Sequence, residues 1–283
     1  NDLTPIRNLT ELVEVNLTNT GINDINPLRY ASKLARLDIS NTGVSDISVI
    51  EKMPALQNLQ MSSVNVSNFT PISELSELVH LDLSRTRISD LTPVGTLTQL
   101  LELNVSATRF QELDPIKELK NLTALFIDST YTTDVSAIGS LENLKVLSAN
   151  YTMVSDLRPL QGLKYLEKIY CDQTPVTREK ANAFMAANPN VLVIFNSEDL
   201  KSWWESLNLE WQDVFIKMTG IRINPSKEEL ARVTNLDSVN LGGVTSIYDL
   251  EPLRRLEKLR VIIANKTSID DLSPLEEHKE IRY

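Results

Sequence analysis

Leucine recurs along most of the chain at a spacing of 22 residues, and each recurrence opens the same pattern of apolar and polar positions. The pattern is L-x-x-L-x-L-x-x-T-x-I-x-D-I-x-P-L-x-x-L, and residues 34–39 and 78–83 follow its first part closely. The opening residues are Leu12, Leu34, Leu56, Leu78, Leu100, Leu122, Leu144 and Leu166. Self-similarity at a short fixed period predicts a solenoid in which each repeat forms one coil.

Within each repeat, apolar residues first recur every two residues and then every three. The x-L-x-L-x stretch alternates, so Leu37 and Ile39 are expected to face the core while Asp38 faces outward. The apolar positions that follow are spaced by three and predict a 3₁₀ or short helical turn on the return side. A single coil cannot bury both parts, so the coils must stack. The predicted fold class is an α/β repeat, a right-handed solenoid with a parallel concave sheet and short 3₁₀ or helical convex turns.

Two polar columns mark the turns of the coils. Threonine stands eight residues after the opening leucine in nearly every copy, and its hydroxyl is expected to satisfy backbone groups of the adjacent coil. Twelve residues after each of the first seven opening leucines stands an acidic residue or Asn68, expected to cap the free N–H groups of the return-side turn. A ladder of carboxylates also suggests calcium, but it lacks the dense oxygen cluster of a calcium loop. Capping is therefore the favoured interpretation.

The 22-residue pattern resembles the leucine-rich repeats of bacterial internalins and of a related eukaryotic subfamily of phosphatase regulators. It covers most of residues 3–173 and returns later in the chain. The resemblance implies a leucine-rich repeat fold and a binding role, and internalins are surface-exposed proteins. The chain departs from the internalin pattern in preferring threonine to asparagine in the turn, and no N-terminal cap of the internalin kind is visible. A host-receptor function is therefore not carried over.

The repeat pattern changes after residue 175, and three segments are predicted. Residues 1–196 are expected to form the main array, closed by a helix over 177–188 and a last strand over 191–195. Residues 197–225 are expected to form a tryptophan-rich helical connector. Residues 226–283 restart the repeat as a second, short array, and both ends of the chain are expected to be truncated.

The connector holds all three tryptophans, Trp203, Trp204 and Trp211, at helical spacing. Such a cluster is typical of a core, so they are expected to be buried and to join the two arrays. An exposed aromatic ligand site is the alternative. The layout of a Trp-Trp helix between two arrays also resembles surface proteins of gut Bacteroides-type bacteria.

Charge and composition exclude several function classes. A net charge of -10 argues against nucleic acid or anionic lipid as the main partner, because phosphates require a basic surface. No apolar run approaches the roughly 18 residues of a membrane helix, so no membrane insertion is expected. Cys171 is the only cysteine, and the two histidines, His80 and His278, fall in different arrays. The sequence therefore predicts no metal site, no cofactor and no catalytic set.

The candidate partner-binding site lies on positions that core packing does not dictate. The early repeats carry small polar residues there, whereas the later ones carry outward aromatics, with Met153 just past its strand and arginines on the same rim. The candidate residues are Phe126, Tyr131, Tyr151, Tyr170, Arg85, Arg87 and Arg109. Aromatic residues and arginine contribute most of the binding energy at interfaces. The alternative is that Phe126 and Tyr170 only cover each other or pack under the next helical segment.

These features predict a non-enzymatic recognition module that binds a protein ligand on its concave face, at the bacterial cell surface. A glycan ligand also remains open, since sugars stack on aromatic rings. The alternative function is a cytoplasmic regulatory scaffold, similar to the phosphatase-binding leucine-rich repeat proteins.

Overall fold

The computed structural model describes residues 2–278 and 281. The chain divides into two compact units, Asn1–Phe195 and Asn196–Tyr283, and the helices of the predicted connector lie in the second.

Nine parallel strands of three residues form one sheet in chain order in the first unit. They are β1 (Glu14–Asn16), β2 (Arg36–Asp38), β3 (Asn58–Gln60), β4 (His80–Asp82), β5 (Glu102–Asn104), β6 (Ala124–Phe126), β7 (Val146–Ser148), β8 (Lys168–Tyr170) and β9 (Leu192–Ile194). Val15 lies opposite Leu37 and Leu37 opposite Leu59, a step of 22 residues. The predicted repeat register is confirmed. Below, coils 1 to 8 begin at the eight opening leucines, and a position is counted from that leucine.

The coils stack because each contributes the same apolar layer. The central strand leucines Leu59 and Leu125 are fully buried, and short 3₁₀ turns return the chain. These turns are Thr4–Ile6, Asn26–Tyr30, Ser48–Lys52, Thr70–Glu74, Asp114–Ile116, Ser136–Ser140 and Arg158–Leu160. Adjacent return sides are so close that a Cβ on Gly139 would lie 2.4 Å from the carbonyl oxygen of Pro159. The predicted 3₁₀ returns are confirmed.

The threonine column closes each turn, but within its own coil. Thr86 Oγ1 donates to the carbonyl of Leu83 at 2.6 Å, and Thr130 Oγ1 donates to Ile127 at 2.7 Å. The expectation that this hydroxyl reaches the adjacent coil was wrong. The tight turn after the strand brings the carbonyl three residues back within reach of the hydroxyl, while backbone N–H groups bridge the coils.

The acidic column caps the return-side turns as predicted. Asp46 Oδ1 accepts the N–H of Ser48 at 2.9 Å, and Asn68 accepts that of Thr70 at 3.0 Å. The hydrogen bonds donated by the Arg158 side chain and backbone lower the pKa of Asp156 to about 2. Glu112 is not part of this hydrogen-bond series, because its longer side chain does not reproduce the two-residue turn.

Helix α1 (Arg178–Ala187) and strand β9 close the first unit. Thr177 Oγ1 accepts the N–H of Lys180 at 3.3 Å, as expected of an N-cap. Ala181, Phe184 and Met185 are buried. The helix and the last strand predicted here are confirmed.

The second unit contains α2 (Ser197–Ser206), α3 (Leu209–Thr219), α4 (Lys227–Thr234), β10 (Ser238–Asn240) and β11 (Val261–Ile263), with 3₁₀ turns at Glu251–Arg255 and Ser273–Leu275. The two strands form a separate parallel sheet. The predicted helical connector is formed by two helices, α2 and α3, rather than by one. Asn208 interrupts it because its side chain accepts the N–H of Trp211 at 2.9 Å and so caps a new helix. Gly220 ends α3 with a φ of 70°.

The tryptophans pack within these helices. Trp204 and Trp211 are only 5% and 1% exposed, which confirms the predicted burial. The Trp211 and Phe215 ring centroids lie 5.4 Å apart, and those of Trp203 and Phe215 lie 5.6 Å apart. These side chains therefore form an aromatic core between α2 and α3.

Candidate partner-binding surface

Position seven of every coil in the first unit has a left-handed backbone. The residues are Asn19, Asn41, Ser63, Arg85, Ala107, Ser129, Tyr151 and Gln173, with φ between 54° and 60°. Their N–H groups bridge to the next coil: Arg85 donates to the carbonyl of Ser106 at 2.9 Å and Tyr151 to that of Asp172 at 2.8 Å. This backbone conformation suits glycine and asparagine, whereas other residues adopt it at a cost of about 1–2 kcal/mol. Arg85 and Tyr151 therefore occupy positions that folding alone would not assign to them.

Position nine forms a second row beside position seven. Together the two positions in coils 4 to 7 make the edge strip, defined as Arg85, Arg87, Ala107, Arg109, Ser129, Tyr131, Tyr151 and Met153. All eight residues are exposed. Tyr131, Tyr151 and Met153 are 70%, 59% and 58% exposed. With adjacent strands about 4.8 Å apart, position nine gives a continuous row of two arginines, a tyrosine and a methionine.

Phe126 and Tyr170 lie apart from the edge strip, at position four of their strands. The sheet register places Phe126 opposite Ser148 and Ser148 opposite Tyr170, so the two rings are two strands apart, about 10 Å. Both side chains are half-buried. The seven predicted site residues therefore fall into two groups, five on the edge strip and two on the strands.

A polar network fills the space between the two aromatic strand residues. Ser148 Oγ donates to Asp128 Oδ1 at 2.7 Å, and the backbone N–H and side-chain amide of Asn150 donate to the same oxygen at 2.7 and 3.0 Å. Together with Phe126 and Tyr170, Asp128, Ser148 and Asn150 make the strand face. Asp128, Ser148 and Asn150 are not among the residues that the sequence identifies as candidates. The network could have been predicted from the Ser, Asn and Asp residues that stand at positions four and six of neighbouring coils.

The arginines of the edge strip differ from Arg36 and Arg158, which form ion pairs. Arg36 pairs with Glu14 at 2.7 Å and Arg158 with Asp156 at 2.6 Å. Within residues 2–278 and 281, the side chains of Arg85, Arg87 and Arg109 have no ion pair or hydrogen bond. Three like charges on two adjacent coils therefore remain without a protein counter-charge.

The part of the chain that the structure describes contains no group of three or more His, Cys, Asp or Glu residues placed to hold a metal ion. His80 Nδ1 lies 3.5 Å from Glu102 on neighbouring strands. Burial raises the pKa of the Cys171 thiol to about 12, so this side chain is a core residue with little thiolate. Among the described residues, no helix has the length and apolar character needed to cross a membrane.

Comparison with solved structures identifies proteins of similar fold. An internalin C2 from Listeria monocytogenes is 28% identical, with a TM-score of 0.57 over 59% of this chain and 74% of that chain. An internalin InlF from the same species is 22% identical, with a TM-score of 0.65 over 98% of this chain and 81% of that one. A leucine-rich repeat protein of Leptospira interrogans is 21% identical, with a TM-score of 0.62 over 67% of this chain and 50% of that one. No protein-family model and no curated protein matches. The predicted leucine-rich repeat solenoid, similar to that of internalins, is confirmed.

Proposed function

We propose that this chain is a non-enzymatic recognition module that binds a protein partner through the strand face and the edge strip. The observation that carries the proposal is the placement of exposed Tyr131 and Tyr151 at positions that coil 1 fills with Gly21 and Asn19. The structural similarity to internalins supports a binding module of this general class.

The energetics favour this interpretation over a purely structural one. A residue that is 59% exposed at a left-handed position, as Tyr151 is, contributes little packing and carries a conformational cost. Tyrosine and arginine are enriched among interface residues whose truncation costs at least about 2 kcal/mol. The ordered network around Asp128 presents hydrogen-bonding groups in fixed positions beside these anchors. No feature of the described residues favours the glycan alternative.

We further propose that the module acts at the bacterial cell surface, with a cytoplasmic regulatory scaffold as the alternative. The similarity to internalins favours the first location. The experiment below includes both compartments, because the binding surface itself does not distinguish them.

The repeat supplies a position-matched test. A photo-crosslinking phenylalanine analogue is placed at Tyr151 in one protein and at Asn19 in another, since both sites share the same left-handed backbone and lie on the same edge. Each protein is exposed to extracellular proteins in one experiment and to cytoplasmic extract in the other. Any captured protein is then purified and its Kd measured against the wild-type chain and Tyr151→Ala.

The expected result is a protein captured at residue 151 and not at residue 19, from the extracellular sample, with affinity weakened about thirtyfold by Tyr151→Ala. Capture from the cytoplasmic sample would favour the scaffold alternative. Equal capture at the two positions, or a Kd unchanged by Tyr151→Ala, would contradict recognition through this surface.

A further inference from the structure

We propose that the edge strip binds an extended acidic segment of the partner protein. Carboxylates of that segment contact Arg85, Arg87 and Arg109 on coils 4 and 5, and its apolar side chains pack on Tyr131 and Tyr151 on coils 6 and 7. The inference rests on the proposed function. It specifies the charge of the recognised segment and the spacing between its acidic and apolar residues.

The positive charge of Arg85, Arg87 and Arg109 is not compensated by carboxylates of the described residues. The chain carries 38 acidic and 28 basic residues, so most arginines have carboxylates available. The three arginines of the edge strip nevertheless have no partner among the described residues. Clustered like charges repel each other, and an arginine guanidinium matches the geometry of a carboxylate. A partner with carboxylates would supply the missing counter-charge.

Three carboxylates on coils 4 and 6 are engaged in hydrogen bonds of their own. Asp82 accepts the N–H of Ser84 at 2.7 Å, and Asp90 accepts both the N–H and the hydroxyl of Thr92 at 2.8 and 2.6 Å. Asp128 is held by Ser148 and Asn150. These bonds hold Asp82 and Asp90 toward their own turns and Asp128 toward the next coil.

The overall negative charge does not prevent binding of an acidic segment. At physiological ionic strength the Debye length is about 8 Å, so carboxylates on distant coils are largely screened. Coils 1 and 2 lie at least two strand spacings from Arg85, about 10 Å. The carboxylates of coils 1 and 2 therefore contribute little to the field at the contact.

The spacing of the strip determines the spacing expected in the ligand. Arg85 and Tyr151 stand at the same position of coils 4 and 7, three strand spacings apart, or about 14 Å. An extended peptide rises about 3.3 Å per residue. Acidic and apolar residues that contact both ends should therefore be separated by about four residues.

The test uses an array of synthetic peptides of defined composition. One set carries an acidic cluster separated by about four residues from two leucines or phenylalanines, in both chain directions. Matched sets replace the acids by lysine, replace the apolar residues by serine, or shorten the separation to one residue. Binding is measured for the wild-type chain, for Arg87→Glu/Arg109→Glu, and for the control Lys52→Glu/Lys117→Glu. The control makes the same change in net charge with exposed return-side lysines.

We expect the acidic-apolar set to be retained best, with a loss of about tenfold or more in Arg87→Glu/Arg109→Glu and no comparable loss in the control. Equal retention of the lysine set, equal loss in the control variant, or displacement by an oligonucleotide of matched charge would overturn the inference. No retention of the acidic-apolar set would also overturn it. In a further outcome, a protein is captured at residue 151 and binds with a Kd that Arg87→Glu/Arg109→Glu leaves unchanged. That result would overturn the acidic-segment inference but would leave the proposed protein recognition intact.

Discussion

The edge of coils 1 and 2 and the edge of coils 4 to 7 share one backbone but carry different side chains. Positions seven and nine are Asn19 and Gly21 in coil 1, whereas they are Tyr151 and Met153 in coil 7. The φ angle at position seven is 59° in coil 1 and 56° in coil 7. The backbone requirement at position seven is therefore the same in both regions.

The difference shows which residues folding determines and which it does not. Position three is Leu59 in coil 3 and Leu125 in coil 6, both fully buried, because every coil must fill the same layer. At the edge, coils 1 and 2 use the residues that a left-handed turn prefers. Coils 4 to 7 depart from them on consecutive coils, and at position nine the departing residues are two exposed arginines, a tyrosine and a methionine. This departure is the reason to assign binding to that region.

The largest expected effect tests the shared core. Leu37→Ala in coil 2 and Leu125→Ala in coil 6 should each lower the free energy of unfolding by about 2–5 kcal/mol, because each leaves a cavity in a fully packed layer. Denaturant unfolding of each variant and of the wild type measures both free-energy differences. A cost under about 1 kcal/mol for either variant would show that the two regions do not share one core.

The next effect concerns binding once a partner has been captured. Phe126→Ala and Tyr170→Ala should each raise the Kd about thirtyfold, because truncating a central aromatic anchor costs about 2 kcal/mol. Ser62→Ala in coil 3 should leave the Kd unchanged. Thermal melts control for folding, and equal affinities in all three folded variants would remove the strand face from the binding surface.

A smaller effect separates binding from stability at position seven. Tyr151→Asn should raise the free energy of unfolding by about 0.5–1 kcal/mol, because asparagine tolerates the left-handed backbone better than tyrosine. The reverse change, Asn19→Tyr, should lower it by a similar amount. Denaturant midpoints measure both. If Tyr151→Asn destabilises the fold, Tyr151 contributes packing that its exposure does not reveal.

The smallest effect concerns the return side, which both regions share. The hydrogen bonds from Arg158 hold the pKa of Asp156 at about 2, below the unfolded value of about 3.9. A lowered pKa stabilises the fold above the unfolded pKa, and this contribution is lost as pH falls through the folded pKa. The stability advantage of the wild type over Asp156→Asn should therefore shrink between about pH 4 and pH 2. A difference that stays constant over this range would show that ionisation of Asp156 is not coupled to folding.

The repeat period predicted the sheet and its register because each coil obeys the same packing rule. The strand centred on Leu125, the 3₁₀ returns and the cap at Thr177 all follow from local spacing. The break at Asn208 was missed because apolar residues continue across it, and only the side-chain hydrogen bond to Trp211 reveals the second helix start.

The candidate surface was only partly predictable. Side-chain type and repeat position identified Tyr151 and Arg109 as exposed, because their positions alternate away from the core. The left-handed backbone beneath Tyr151 was not visible, since leucine periodicity contains no information about φ. Nor could the sequence reveal which carboxylates, such as Asp128, are committed to neighbouring coils, because those bonds depend on the stacking register.

The most direct test exchanges one edge for the other. In one variant the edge strip takes the residues of coil 1, with Arg85→Asn, Arg87→Gly, Arg109→Gly, Tyr131→Gly, Tyr151→Asn and Met153→Gly. The measurement pairs the denaturant midpoint of this variant with its Kd for the captured partner. We expect a folded protein with a lowered midpoint, because the four glycines at position nine replace residues whose backbone is not left-handed. Binding should be weakened by at least about a hundredfold. Loss of the fold, or an unchanged Kd in a folded protein, would contradict the claim that these side chains serve recognition.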